Sequence, residues 1–184
     1  MAKLILVRHG ETEWCRQKRV KGALDIPLNF EGQEQARKIA EELSTLDIRA
    51  IYSSSSSCCL STAREIAVPR KLKIKKAKDL NELNYGVWQG LLEKEVKKRY
   101  KKQYGAWKAS PASTHPPKGE SIREVYDRAV AAMHKIVDRH KNENICIVSH
   151  DVVLSLIKCY LDNSDPEKIW ELVPGKGISE VFDI

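Results

Sequence analysis

The sequence predicts an α/β fold in which helices cover both faces of a mostly parallel sheet. Short apolar runs alternate along the chain with segments whose apolar residues recur at the helical period. Their order is β-α-β-α-β, then a helical stretch, then β-α-β. The 184 residues and 42% hydrophobic content suit one domain covering residues 1–184. We therefore expect a single three-layer α/β/α domain that binds its ligand at the carboxyl edge of the sheet.

The first half of the chain contains three predicted strands, over residues 3–7, 49–53 and 72–77. Asn29 is a helix-capping residue and predicts a helix after the first strand. The buried face of this helix is expected to comprise Ala36, Ile39, Ala40, Leu43 and Leu46. The serines at 54–57 predict a turn into a second helix, since hydroxyl side chains cap helices well.

The second half begins with a predicted helix over 91–104. Prolines and small polar residues over 105–119 predict a lid-like loop without regular structure. Ser121 and Glu124 have the spacing of a capping box and open a long helix. The remaining predicted elements are a buried strand over 145–149, a core helix over 152–161 and an edge strand over 178–184.

The composition limits the compartment and the partners. The five cysteines are an odd number without C-x-x-C spacing, so we expect free thiols in a reducing compartment. The chain lacks a long apolar segment, and residues 1–10 lack the features of a signal peptide, so we expect a cytoplasmic protein without membrane contacts. The net charge of +7 favours anionic partners. Without zinc-finger spacing or an RNA-binding aromatic signature, a nucleic-acid-binding module is the weakest hypothesis.

Arg8 and His9 directly follow the first apolar run, so the first strand should present both at its carboxyl end. The planar guanidinium of arginine suits phosphate, and a neutral imidazole can act as a nucleophile. The strand over 145–149 presents His150 in the same way. If the two strands are neighbours, both histidines share one crevice, and the pattern indicates phosphate chemistry.

The segment LVRHGETEW at residues 6–14 resembles the signature of the histidine phosphatase superfamily, the phosphoglycerate-mutase-like proteins. Further matches occur in order along nearly the whole chain, among them Tyr52-Ser53-Ser54, Leu80-Asn81-Glu82 and Val148-Ser149-His150. The resemblance implies a phosphoglycerate-mutase-like fold and a phosphomonoester hydrolase that needs no metal or other cofactor. The compact chain resembles the short phosphatase branch of the family, with a phosphoglycerate mutase as the alternative.

The resemblance also implies a role for each matching residue. His9 would carry the phosphoryl group, Arg8 and His150 would bind its oxygens, and Glu82 would donate and accept the proton. Asp151 stands where the family commonly has glycine, and its backbone N–H would contact the phosphate. The expected phosphate-binding set is Arg8, Cys15, Gly22, Cys58, His150 and Asp151.

Two members of this set depart from the family. Cys15 stands where the family usually has asparagine, and Cys58 stands where it usually has a second arginine. Losing one preorganised donor raises a reaction barrier by about 3 kcal/mol. We therefore expect a slow phosphatase, and the alternative is a catalytically impaired protein that binds phosphorylated ligands.

The same substitutions suggest two further hypotheses. Cys15 and Cys58, together with His9 and His150, are a set of side chains that zinc accepts, although the family reaction predicts no metal. The two cysteines could instead form an oxidative bridge or be inert replacements. The expected partner is a small phosphorylated metabolite, and a homodimer is possible.

Overall fold

The computed structural model describes residues 2–175, 177 and 179–184. In this part of the chain five strands form one sheet: β1 Lys3–Arg8, β2 Ile48–Ser53, β3 Ile74–Lys76, β4 Asn144–Ser149 and β5 Ser179–Asp183. The strand order is β3-β2-β4-β1-β5, and β5 is antiparallel to β1 while the other pairs are parallel. The predicted mostly parallel sheet with an edge strand near the carboxyl end is confirmed. Ile178, where that strand was expected to begin, lies outside the described residues.

The α-helices described are α1 Glu13–Arg16, α2 Phe30–Glu42, α3 Ser57–Ala67, α4 Glu93–Arg99, α5 Lys101–Ala109, α6 Ile122–Arg139 and α7 Asp151–Leu161. Short 3-10 helices cover Val68–Arg70, Lys78–Leu80, Gly86–Trp88 and Pro166–Glu171. In this part of the chain, no helix is both long and apolar enough to cross a membrane.

Two hydrophobic cores lie on opposite faces of the sheet because successive side chains of a strand alternate between faces. Leu4 and Leu6 of β1 pack in one core with residues of α6 and α7. Ile5 and Val7 pack in the other core with residues of α2 and α3. This arrangement confirms the three-layer α/β/α fold.

Strand pairing brings the chemically active residues to one edge. The parallel pairing of β1 with β4 sets Arg8 opposite Ser149, so His9 and His150 leave the sheet side by side. The backbone N–H of His9 donates to the carbonyl of Ser149 at 3.2 Å. A Cβ on Gly10 would collide with the backbone of Gly32 in α2, so only glycine lets the chain turn here against that helix.

Two of the three capping predictions are confirmed, and the third is not: the serines form the turn into α3, but Ser56 at its N-cap makes no side-chain cap hydrogen bond. The side chain of Asn29 accepts a hydrogen bond from the backbone of Gly32, and Ser121 and Glu124 form a capping box at α6. Of the expected buried face, Ala36 and Ile39 in α2 are buried and Ala40 is half-buried; α2 ends at Glu42, so Leu43, which is buried, and Leu46, which is half-buried, follow the helix.

The prediction for residues 91–119 is wrong in two respects. The single predicted helix is two helices, α4 and α5, which meet at Tyr100, where the backbone leaves helical geometry. The predicted loop begins later, since residues 105–109 are helical. Trp107 accounts for the later start of the loop, because it is buried between Trp88 and Trp170 and anchors α5. Strand β3 is also shorter than predicted, since only three residues of the expected 72–77 pair with β2.

Candidate active site

A cleft of about 330 Å³ lies where β1 ends, and Arg8, His9, Glu82 and Asp151 all line it. A smaller cavity of about 130 Å³ beside it is lined by His150. The structure therefore gathers the predicted residues in one region, with the two histidine rings edge to face at 5.1 Å between centroids.

His9 is held in one tautomer by its own backbone. Its Nδ1 lies 2.6 Å from the carbonyl oxygen of Gly10, and since a carbonyl only accepts, Nδ1 carries the proton. Nε2 of the neutral ring then keeps its lone pair. The side chain is only 3% exposed, so the ring is fixed at the base of the cleft. This arrangement leaves Nε2 as the nitrogen that can attack an electrophile.

Arg8 is already paired inside the protein. Its guanidinium forms an ion pair with the carboxylate of Asp151 through Nε and donates to that carboxylate through Nη2. Nη1 donates to the carbonyl of Pro174 at 2.6 Å. A carboxylate thus already occupies the N–H edge of the guanidinium that a phosphate would use. The sequence analysis did not anticipate this pair, because it assigned only the backbone of Asp151 to the site.

Lys21 is a second cation of the site that the sequence analysis missed. Its Nζ lies 3.3 Å from Nδ1 of His150 and 3.8 Å from Sγ of Cys58. A positive charge therefore stands beside Cys58. The only sequence signal was the adjacent Gly22, which has a positive φ of 55° and lines the cleft with Lys21.

The neighbours of His150 determine which of its ring nitrogens carries the proton. Because an ammonium can only donate, Nδ1 accepts from Lys21, and Nε2–H points to Oγ of Ser54 at 2.8 Å. That hydroxyl donates in turn to Oδ1 of Asn81 at 2.9 Å. Burial, followed by the charge of Lys21, lowers the pKa of His150 well below its usual value. The ring is neutral at physiological pH.

Both cysteines of the expected phosphate-binding set lie near His9 and the cleft. Cys15 lines the cleft, and its Sγ accepts from the hydroxyl of Thr12 at 3.2 Å. Cys58 is fully buried, and its pKa is lowered, first by a hydrogen bond from Cys59 and then by His9 and Lys21 beside it. Burial raises the pKa of Cys59, so Cys58 is the more acidic thiol of the pair. All five cysteines are free thiols, and the hypothesised Cys15–Cys58 bridge is not formed.

Glu82 is 7% exposed, and burial together with the charge of Asp151 raises its pKa to about 7. Its Oε1 accepts from the backbone of Leu83 at 2.8 Å, and Oε2 accepts from that of Val152 at 3.3 Å. A carboxyl group with a pKa near 7 can both give and take a proton at neutral pH.

Arg128 of α6 supports the loop that carries Glu82, a role that no sequence motif indicates. Its Nη1 donates to the carbonyls of Asn81 at 2.6 Å and Asp79 at 2.8 Å. Its Nη2 contacts the carbonyl of Glu82 at 3.3 Å and the carboxylate of Glu120 at 3.0 Å. The guanidinium therefore fixes the backbone from which Glu82 projects.

An α/β fold whose neighbouring parallel strands end in paired histidines is the architecture of the phosphoglycerate-mutase-like proteins. The family model of the histidine phosphatase superfamily, branch 1, matches residues 4–180. The chain belongs to this superfamily.

Similar proteins include phosphatases and mutase-like proteins. Phosphoserine phosphatase 1 of Hydrogenobacter thermophilus is 36% identical over 92% of this chain and 81% of its own length. Phosphoglycerate mutase-like protein 4 of Arabidopsis thaliana is 37% identical over 83% of this chain and 68% of its own. The solved structure of Bacillus stearothermophilus YhfR superposes with a TM-score of 0.93 at 29% identity, covering 100% of this chain and 92% of that one.

Proposed function

We propose that this protein is a metal-independent phosphomonoester hydrolase that acts through a phosphohistidine at His9. The observation that carries the proposal is the tautomer of His9, which keeps the lone pair of Nε2 available beside Arg8 and Glu82 in one cleft. A neutral imidazole in this state needs no further base to become a nucleophile.

In the first step, Nε2 of His9 attacks the phosphorus of the substrate, and the bond from phosphorus to the ester oxygen breaks. Glu82 gives its proton to the leaving oxygen, so an alcohol departs. In the second step, the Glu82 carboxylate takes a proton from water, whose oxygen attacks phosphorus and breaks the P–N bond. Phosphate leaves, and both side chains return to their starting protonation states.

The transferring phosphoryl group needs positive charge and N–H donors around its oxygens. Arg8 and Lys21 supply the charge, and the first turn of α7, which starts at Asp151, supplies backbone N–H groups. The carboxylate of Asp151 opposes them by neutralising Arg8. We therefore propose a weak affinity for phosphate and a slow turnover.

The proposed substrate is a small phosphorylated metabolite, since the cleft volume suits a small molecule rather than a polymer. Tyr85, Trp107 and Trp170 form an aromatic wall of the cleft, and Lys18 and Lys108 add positive charge near its mouth. A homodimer and a cytoplasmic location stay predictions from the sequence.

The test is hydrolysis of a panel of small phosphomonoesters by the wild type, His9→Asn and a surface control, His134→Asn. We expect phosphate release by the wild type and the control, with a loss of at least about 10³-fold in His9→Asn. Equal activity in His9→Asn would overturn the proposal.

Two other functions are decided by the same assay. A phosphoglycerate mutase, which the mutase-like relative suggests, would isomerise 3-phosphoglycerate instead of releasing phosphate. A binding protein without turnover is favoured by one observation, the Arg8–Asp151 pair, and would bind phosphorylated ligands without releasing phosphate.

A further inference from the structure

Three buried side chains with metal-binding atoms converge beside His9, between the cleft and the smaller cavity that His150 lines. The residues are His9, Cys58 and His150, and all three are buried. A ring nitrogen of each histidine and the sulfur of the cysteine lie within 4.8 Å of one another. Nitrogen and sulfur ligands of one tetrahedral zinc ion lie about 3.5 Å apart. Small side-chain rotations would therefore bring this set into coordination distance.

The ammonium group of Lys21 already lies beside two of these three side chains. Nζ of Lys21 lies near Nδ1 of His150 and near the sulfur of Cys58. The imidazole nitrogen and the sulfur thus both lie beside one position that a cation occupies. Lys21 is a flexible side chain at the rim of the cleft, so a divalent ion can displace its ammonium group.

The second nitrogen of each imidazole is fixed, as it is in metal-binding histidines. Nδ1 of His9 donates to the carbonyl of Gly10, and Nε2 of His150 donates to the hydroxyl of Ser54. Such outer contacts orient the ring and make the remaining nitrogen a better ligand. Neutral imidazoles and a thiolate are the protonation states that zinc requires.

We propose that His9, Cys58 and His150 bind one zinc ion and that this ion reversibly inhibits the protein. Zinc would take the lone pair of His9 Nε2, which the proposed reaction uses as its nucleophile. Its fourth position would stay open to water or phosphate, since the set provides three ligands. Metal binding itself requires no turnover, whereas the inhibition rests on the proposed function and would be measured as a Zn²⁺-dependent loss of phosphate release that a chelator restores.

The test is titration of the metal-free protein with Co²⁺, a spectroscopic substitute for zinc, followed by displacement with Zn²⁺. We expect one ion per chain and an intense near-ultraviolet thiolate-to-cobalt absorption band. The band should disappear in Cys58→Ser and persist in Cys15→Ser, the matched control. Lys21→Met should bind the ion at least about tenfold more tightly, since the competing cation is gone.

Cys58→Arg provides a second variant in case Cys58→Ser folds poorly, because the family usually has arginine at this position. It should fold, as circular dichroism would verify, and lose the absorption band. A band that persists in Cys58→Arg, or wild-type protein that binds no stoichiometric ion, would overturn the zinc site. Phosphate release measured in chelator tests the proposed function separately, so the two can fail independently.

Discussion

At the residue scale, Asp151 determines how much of Arg8 is available to a phosphate. Its carboxylate pairs with the N–H edge of the guanidinium that a phosphoryl group would use. We predict that Asp151→Gly lowers KM for phosphomonoesters about tenfold, since a charged hydrogen-bonding competitor is removed. Inhibition by inorganic phosphate should strengthen by a similar factor.

Asp151→Asn is the matched control for this prediction. It keeps the size of the side chain and removes the charge, so KM should fall less than in Asp151→Gly. Steady-state kinetics of the three proteins measure the effect. An unchanged KM in both variants would show that the pair does not limit phosphate binding.

Glu82 should govern the pH dependence of the first chemical step. Its pKa is raised to about 7, and protonation of the leaving oxygen requires the protonated form. We predict that kcat/KM falls tenfold per pH unit above about pH 7. The charges that act on Glu82 are Asp151, which raises its pKa, and Lys21, which lowers it.

Glu82→Gln should lower kcat about 10²- to 10⁴-fold. It should also abolish the fall of kcat/KM above about pH 7, which is the alkaline limb of the pH profile. Asp151→Gly should move the limb to lower pH, because it removes a negative charge that raises the pKa of Glu82. A limb that is identical in the wild type and Asp151→Gly would contradict the assignment of the limb to Glu82.

At the element scale, α6 positions the loop of Glu82 through Arg128. Lysine has one ammonium group and cannot reproduce a planar fork that reaches three carbonyls and a carboxylate. We predict that Arg128→Lys lowers kcat about tenfold with little change in KM. The alkaline limb should also move to lower pH, since a looser loop exposes Glu82 to water.

Arg123→Lys is the control, because Arg123 lies on the same helix and forms an exposed ion pair with Asp127. It should leave kcat and the pH limb unchanged. Thermal unfolding separates positioning from stability. A lower melting temperature of Arg128→Lys with an unmoved pH limb would assign it a structural role only.

The elements that the sequence predicts well are those with a strong local signal. Long α6 has both a capping box and a regular apolar period, and β1 and β4 are continuous apolar runs. The division between α4 and α5 has no such signal. Tertiary packing of Trp107 in an aromatic cluster determines where α5 ends, and contacts between distant residues are not encoded in local periodicity.

The same reason explains which parts of the candidate site the sequence predicts. Arg8, His9, Glu82 and His150 belong to recognisable motifs, and strand order brings them together. Lys21 and Arg128 belong to no motif and reach the site only through the fold. The pairing of Asp151 with Arg8 depends on side-chain direction, which a sequence match to a backbone contact does not provide.

At the scale of the whole molecule, Lys21 and an arginine introduced at position 58 would contribute to one positive field. We predict that Cys58→Arg raises kcat/KM only a few-fold, because Lys21 already supplies a charge there. In a Lys21→Met background the same substitution should raise it by about tenfold or more, since the two side chains contribute to one function. A double-mutant cycle measures this coupling, and equal gains in both backgrounds would contradict it.

The account as a whole rests on a phosphoryl group carried by one nitrogen of His9. Rapid acid-free trapping of the protein with phosphomonoester, followed by phosphopeptide mapping and ³¹P NMR, tests it most directly. We predict one phosphoryl group, on Nε2 of His9, because the carbonyl of Gly10 occupies Nδ1. A phosphoryl group on Nδ1, on His150 or on the sulfur of Cys58 would contradict the account.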